Sequence, residues 1–229
     1  TLLGDVLGKV AASKGYINSM GIDNAWSKQT ARQLEDMAWQ GVVANKGNDA
    51  FQRSWFGLYS GLASSPEALA RLAGMLEGQG TEGLKIGQDQ RWSIITRLNR
   101  YNYQGAANLL AAEQERDKSD TGQGAALAAT VVRPDPAVKA EWLDKVEDLQ
   151  TKLPFSRLRT AMGAMYPAEQ KKLDEMTAER RLAKLPAIDK AAGPVFMRTY
   201  AGTMIPASCT PASVARLTKA ANTMKDLSA

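Results

Sequence analysis

The sequence predicts an all-α protein, on three observations. Ala, Leu, Lys, Glu, Gln, Arg and Met dominate the chain, and these are the strong helix formers. Apolar–polar alternation is absent, and β-branched runs such as Thr130-Val131-Val132 are too short to found a sheet. Proline recurs where helices begin. Six of the nine prolines lie at or after Pro154, between short connections, so they read as helix starters and not as a disordered tail.

The elements follow in order. Leu3, Val6, Leu7 and Val10 predict a first helix from Leu2 to Ala12, followed by a loop through Gly15 and Gly21. Ser27 to Asn45 carries Leu34, Met37, Ala38, Gly41 and Val42 along one face, and Gly47 and Asn48 break it. Asp49 to Leu62 shows an apolar stripe of Phe51, Trp55, Leu58, Tyr59 and Leu62. Ser65 caps the next helix, with Pro66 in its first turn and its end near Leu76. Asp89 to Tyr101 buries Trp92, Ile95 and Leu98, and Tyr103 to Arg116 follows. Thr121 to Val132 is rich in small residues. Asp135 and Pro136 open a helix to about Asp148 that buries Val138, Trp142 and Val146. Pro154 to Met165, Pro167 to Lys184, Pro186 to about Tyr200 and Pro211 to Leu227 complete the chain.

Eleven or twelve helices with short links suggest stacked antiparallel pairs. A tetratricopeptide or ankyrin array would repeat every 33–34 residues or so, and no such period is present. The expected architecture is an irregular α-solenoid of the HEAT or armadillo kind, as one domain over 1–229 with possible sub-bundles 1–150 and 151–229. A chain opening at Thr1, with neither a charged n-region nor an apolar h-region, is expected to be a piece of a longer protein. No apolar run approaches the length that spans a bilayer.

Composition removes whole classes of chemistry. The chain contains no histidine, so Ser-His-Asp and Cys-His sites, His-ligated zinc and His general bases are excluded. Its one cysteine, Cys209, forms no internal disulfide and reads as an inert thiol, which fits a reducing cytoplasm or a bacterial envelope protein without disulfides. Net charge is +5, unevenly spread: residues 149–229 carry 13 Lys plus Arg against 6 Asp plus Glu, whereas residues 1–148 carry 16 against 18. The densest basic cluster is Lys171, Lys172, Arg180, Arg181 and Lys184, interleaved with Asp174, Glu175 and Glu179. It reads as a solvated helix face with charge pairs, because aromatic stacking residues are nearly absent around it and no nucleic-acid partner is expected. Gly78, Gly80, Gly83 and Gly87 lack the preceding strand and Lys-Ser/Thr ending of a phosphate loop, and read as a connection. Asp117 and Asp120 read as a helix-start turn with Asp120 or Thr121 as cap.

One stretch, Gly83 to Asp148, is more specific. Asp89-Gln90-Arg91-Trp92, then Glu113 to Gly122 with Asp117, then Pro134, Lys139 and Trp142 form an ordered set. This set resembles the C-terminal helical domain of M1-family zinc aminopeptidases, the aminopeptidase N group. The resemblance covers about 65 residues well, and the flanks share only helical character. It implies a HEAT-like domain that packs against an upstream catalytic domain, closes the active-site chamber and shapes which peptides enter. Zinc and its His-Glu-x-x-His motif would belong to that upstream domain, and this chain would carry no catalytic and no metal-binding residue.

The residues of the set also have a structural reading. Asp89 caps its helix, Arg91 pairs with Asp117 or Asp120, and Trp92 and Trp142 anchor packing. The chamber-lining alternative sets Arg91, Arg97 or Arg198 near the C-terminal carboxylate of a peptide substrate. The gating reading also predicts an exposed apolar or small-residue docking patch and a polar concave face. Three other functions stay open: a free-standing helical-repeat scaffold for a protein partner, a nucleic-acid-binding repeat using the basic C-terminal half, and, more remotely, a carboxylate enzyme.

Overall fold

The computed structural model describes residues 2–19, 24–206, 208, 210–224 and 227. Cys209 and Gly21 therefore lie outside the described residues. Among the described residues there is no strand, as the composition predicts, and there are thirteen α-helices against the eleven or twelve expected. The chain divides into two compact units, residues 1–129 and 130–229.

The first unit holds α1 (Leu2–Ser19), α2 (Ala25–Ala44), α3 (Asp49–Leu62), α4 (Pro66–Leu76), α5 (Gln88–Arg100), α6 (Ala106–Arg116) and all but the last turn of α7 (Asp120–Val131). Helices α1, α2 and α3 pack on one another, and α5 packs on α3, α4 and α6. The core joins Ala38 and Val42 to Phe56, Tyr59, Leu72 and Leu98, all nearly inaccessible to solvent. Trp92, Ile95, Leu110, Ala126 and Ala129 form a second cluster. Trp55 lies so close to Gly41 that a Cβ there would meet its indole, Cε2 at 2.7 Å.

Helix α1 is seven residues longer than expected and runs through Gly15. Tertiary contacts outweigh the cost of a helical glycine, about 1 kcal/mol. Lys14 and Ile17 are buried, and the Lys14 ammonium donates to the Leu62 carbonyl and to Ser64 Oγ at 3.0 Å. The same corner is held from the other side by Glu35, which is 3% exposed. Glu35 Oε1 accepts from Ser64 N (2.7 Å), Ser64 Oγ (2.8 Å) and Ser65 N (3.1 Å), and Oε2 accepts from Ser65 Oγ (2.5 Å). A cation thus meets the C-terminal end of α3 and a carboxylate the N-terminal end of α4, as helix dipoles favour. Ser65 also caps α4 through Ala68 N, as expected.

Helix α6 begins at Ala106 and not at Tyr103. Asn102 (φ 51°) and Gly105 (φ 83°) adopt left-handed backbone, and Tyr103 N donates back to Leu98 O at 2.9 Å, closing a turn after α5.

The second unit contains α8 (Pro136–Glu147), α9 (Phe155–Met165), α10 (Lys171–Met176), α11 (Ala178–Ala191), α12 (Pro194–Met204) and α13 (Pro211–Thr223). Helix α9 packs on α8 and α12, and α11 on α10 and α12. Leu143, Val146, Leu158, Met162, Leu185 and Tyr200 are buried among them. Asp135 caps α8 through Ala137 N at 2.9 Å, as its sequence predicts. Two expected helices become three. Pro167 starts none, and Pro186 lies inside α11. A proline removes only the bond to Leu182 O, and the buried stripe Ala178, Leu182, Leu185, Ile188 continues across it. Pro194, after Gly193, opens the next helix. Val138 and Trp142 are half-buried and not core residues. The Lys145 ammonium stands 4.4 Å over the Trp142 ring, which covers the indole instead.

Candidate functional site

The start of α5, the length of α6 and the start of α7 bring Arg91, Trp92, Glu113, Asp117 and Gly122 together. Gly87 is the N-cap of α5, and its N–H donates to Gln90 Oε1 at 2.6 Å. Asp89 is therefore not the cap. It stands one residue inside the helix, exposed, where its charge complements the dipole. The next turn points Gln88, Arg91 and Trp92 at α6.

Their target is Glu113, 1% exposed, together with Asp117 one turn later. Arg91 donates to Glu113 Oε2 through Nε (2.9 Å) and Nη2 (2.7 Å), so its partner is Glu113 and not Asp117 or Asp120. Arg116 reaches Glu113 Oε1 through Nε (2.9 Å), and Gln88 Nε2 donates to the same oxygen at 3.0 Å. Burial pushes the Glu113 carboxyl up, but the donors from Arg116, Arg91 and Gln88 overcome it and hold the group at about 2. Asp117 Oδ2 accepts from Trp92 Nε1 (2.7 Å) and Gln88 Nε2 (2.8 Å), and Oδ1 accepts from Ser119 Oγ (2.7 Å). The Trp92 and Ser119 donors hold this carboxyl below its usual range.

The cap of α7 is one residue earlier than expected: Ser119 Oγ accepts from Gly122 N at 3.0 Å. Gly122 admits the Asp117 carboxylate against its Cα. A Cβ there would meet the carboxyl group, with Oδ1 at 2.7 Å. The glycine and the aspartate are therefore one feature. Pro134 and Lys139 belong to the second unit. Pro134 is half-buried, while Lys139 is 2% exposed and donates to the Val131 carbonyl at 2.7 Å, closing the C-terminal end of α7.

Sequence reasoning missed the centre of the second unit. Arg181, expected on a solvated face, is 1% exposed. It donates to Met204 O (2.6 Å), Asp174 O (2.5 Å) and Asp174 Oδ1 (2.5 Å), and lies 3.9 Å from the Tyr166 ring centroid. Tyr200 donates to Glu147 Oε1 at 2.9 Å, and burial followed by the Glu147 charge pushes its phenol up. Arg180 pairs with Glu147 and Asp144, both at 2.7 Å. The basic cluster is thus partly dismantled, its two arginines engaged with groups of their own unit.

The chemistry open to these networks is narrow. The carboxylates of Glu113 and Asp117 are saturated with donors, and Glu113 stays ionised through the neutral range, so it is neither an acid nor a base near pH 7. Among the described residues no group of three His, Cys, Asp or Glu side chains could hold a metal ion. No described helix is long and apolar enough to cross a membrane. Of the three candidate substrate arginines, Arg91 is engaged with Glu113. Arg97 donates to the Gly61 carbonyl and lies 5.7 Å from the Tyr101 ring centroid, while Arg198 is exposed on α12.

The family model of the ERAP1-like C-terminal domain matches residues 5–229. The chain belongs to that family. The domain is also 32% identical over 157 residues to aminopeptidase N of Streptomyces lividans, a match covering 68% of this chain and 17% of that protein. The domain therefore spans about a sixth of the length of this relative. The resemblance to the C-terminal domain of M1 aminopeptidases, carried in the sequence by Asp89 to Trp142, is borne out. Of that set, Arg91, Trp92, Glu113, Asp117 and Gly122 build a joint among α5, α6 and α7.

Proposed function

We propose that this domain closes the active-site chamber of a bacterial M1-type zinc aminopeptidase and shapes which peptides enter, contributing no catalytic residue. The observation that carries the reading is the family match over residues 5–229. The saturated carboxylates support a structural role for the motif set. The zinc is assigned to the upstream catalytic domain of the parent chain, because a chain without histidine offers no zinc site of the kind such peptidases use. Its Lewis acidity would supply the activated water there. The exposed side chains of Leu2 (81%) and Val6 (52%) on α1 support docking against another domain. Among the candidate arginines, the exposure of Arg198 favours it for the peptide carboxylate.

The test compares the full-length enzyme with a version ending where this domain begins. Substrates are a single-residue chromogenic amide and peptides of increasing length. The truncated enzyme should still cleave the amide and lose its discrimination by peptide length, and adding this domain in trans should restore it. An unchanged length profile sinks the proposal. In the full-length enzyme, Arg198→Ala should raise KM for peptides with a free C-terminus and leave KM for their amidated forms unchanged.

A further inference from the structure

Helix α13 is attached to its unit differently from its neighbours. Helices α11 and α12 bury Leu182, Leu185, Ile188, Tyr200 and Met204. Among the described residues of α13, only Ser213 is buried, and Val214 is 54% exposed. With little apolar area removed from water, the hydrophobic term that seats a helix is small here.

Polar contacts take its place. Arg216 Nη2 donates to Glu175 Oε2 at 2.7 Å, and Nε donates to Glu179 Oε1 at 2.9 Å. Glu175 lies on α10 and Glu179 on α11, so one guanidinium bridges the break between those helices. Glu175 also accepts from Ser208 Oγ at 3.1 Å, and Ser208 N donates to Ser213 Oγ at 3.3 Å. The Arg216 side chain is 14% exposed, with Nη1 enclosed and without a partner among the described residues. Its two acceptors are wetter, Glu175 at 36% and Glu179 at 82%. Ion pairs whose acceptors face water weaken as salt rises, whereas apolar packing does not.

We propose that α13 is a releasable latch. Arg216 holds it to α10 and α11, its seating is set by ionic strength, and it opens while the rest of the unit stays folded. Release also frees Glu175, next to the Asp174 that binds Arg181, so the latch touches the unit's buried centre through adjacent residues on α10.

Hydrogen exchange read by mass spectrometry on the full-length protein tests this. Salt is raised from about 0.1 M to about 1 M NaCl, which shortens the screening length from about 10 Å to about 3 Å. Protection of amides 214–223 should fall about tenfold, with α11 and α12 unchanged, since local opening is read residue by residue. Arg216→Gln should show that loss already at low salt. The charge-exchanged pair Arg216→Glu with Glu175→Arg should recover part of it. If amides 214–223 remain as protected as α11 in 1 M salt or in the Arg216→Gln protein, the latch does not exist. If α11, α12 and α13 lose protection together, α13 is not separable and the proposal is equally overturned.

Discussion

The two units are organised around buried charges of opposite sign. In the first, Glu113 receives donors from Arg91, Arg116 and Gln88, and both guanidinium groups keep contact with water, at 26% and 48% exposure. In the second, Arg181 is enclosed on all sides, and its acceptors are chiefly backbone: the last carbonyl of α12 and a carbonyl in the last turn of α10. Glu113 is served by side chains that lead its countercharge out to solvent. Arg181 is served by helix C-termini, whose dipoles favour it, with the Asp174 carboxylate as its countercharge. Arg181 Nε has no partner among the described residues, which marks the second arrangement as the less completely satisfied.

The heaviest loss should come at Arg181. Arg181→Met should lower the urea unfolding free energy by about 3–5 kcal/mol, the range for breaking a buried pair. The single-residue change Glu113→Ala should cost less, about 2–3 kcal/mol, because the arginines it strands can hydrate. A larger loss at Glu113 than at Arg181 would reverse the contrast. The joint around Glu113 can be opened indirectly through its glycine. Gly122→Ala pushes Asp117 away from the Trp92 indole and should cost about 1–3 kcal/mol, read as a lower midpoint and a shifted tryptophan emission. Gly124, where an added Cβ would meet nothing within 4 Å, is the control: Gly124→Ala should stabilise by about 0.5–1 kcal/mol.

Acid acts on this contrast through Glu113. The Glu113 carboxyl is held at about 2 in the folded protein against an ordinary 4.5. The unfolded chain therefore binds the proton first as pH falls. The stabilisation is complete above about 4.5 and is lost between there and about 2. The stability difference between wild type and Glu113→Gln should shrink over that window and be flat above it. At the small end, Arg53 and Asp49 form an exposed pair one turn apart on α3. Arg53→Ala should leave the midpoint unchanged within error.

Much of this is legible in the sequence. The helices starting at Asp49 and Pro66 have the bounds their stripes and caps predict, and Asp135 caps where Pro136 demands it. The failures have two physical causes. Proline reads as a start at Pro186, where the continuing apolar face carries the helix through. Charged residues read as surface. Yet Glu113 follows Ala106 and Leu110 on the buried stripe of its helix, and Glu35 precedes Ala38 and Val42. Lys139 precedes Leu143 and Val146, and Arg181 lies between Ala178 and Leu185. A charged side chain in register with an apolar stripe is the available signal. What the spacing cannot provide is the identity of the partners, since Glu113 and Asp117 lie one turn apart on one face and only the three-dimensional fit divides Arg91 from Trp92.

The corner at Ser64 and Ser65 carries a consequence for how this lineage can vary. Glu35 fills four donors with two oxygens, two of them backbone groups that every residue but proline would retain. An aspartate at 35 falls one methylene short, and a glutamine replaces one acceptor with a donor facing donors. Neither side of the corner can drift alone. Among relatives that keep the corner, glutamate at 35 and hydroxyl residues at 64 and 65 should be inherited as a set, and where one is lost the others should be lost with it.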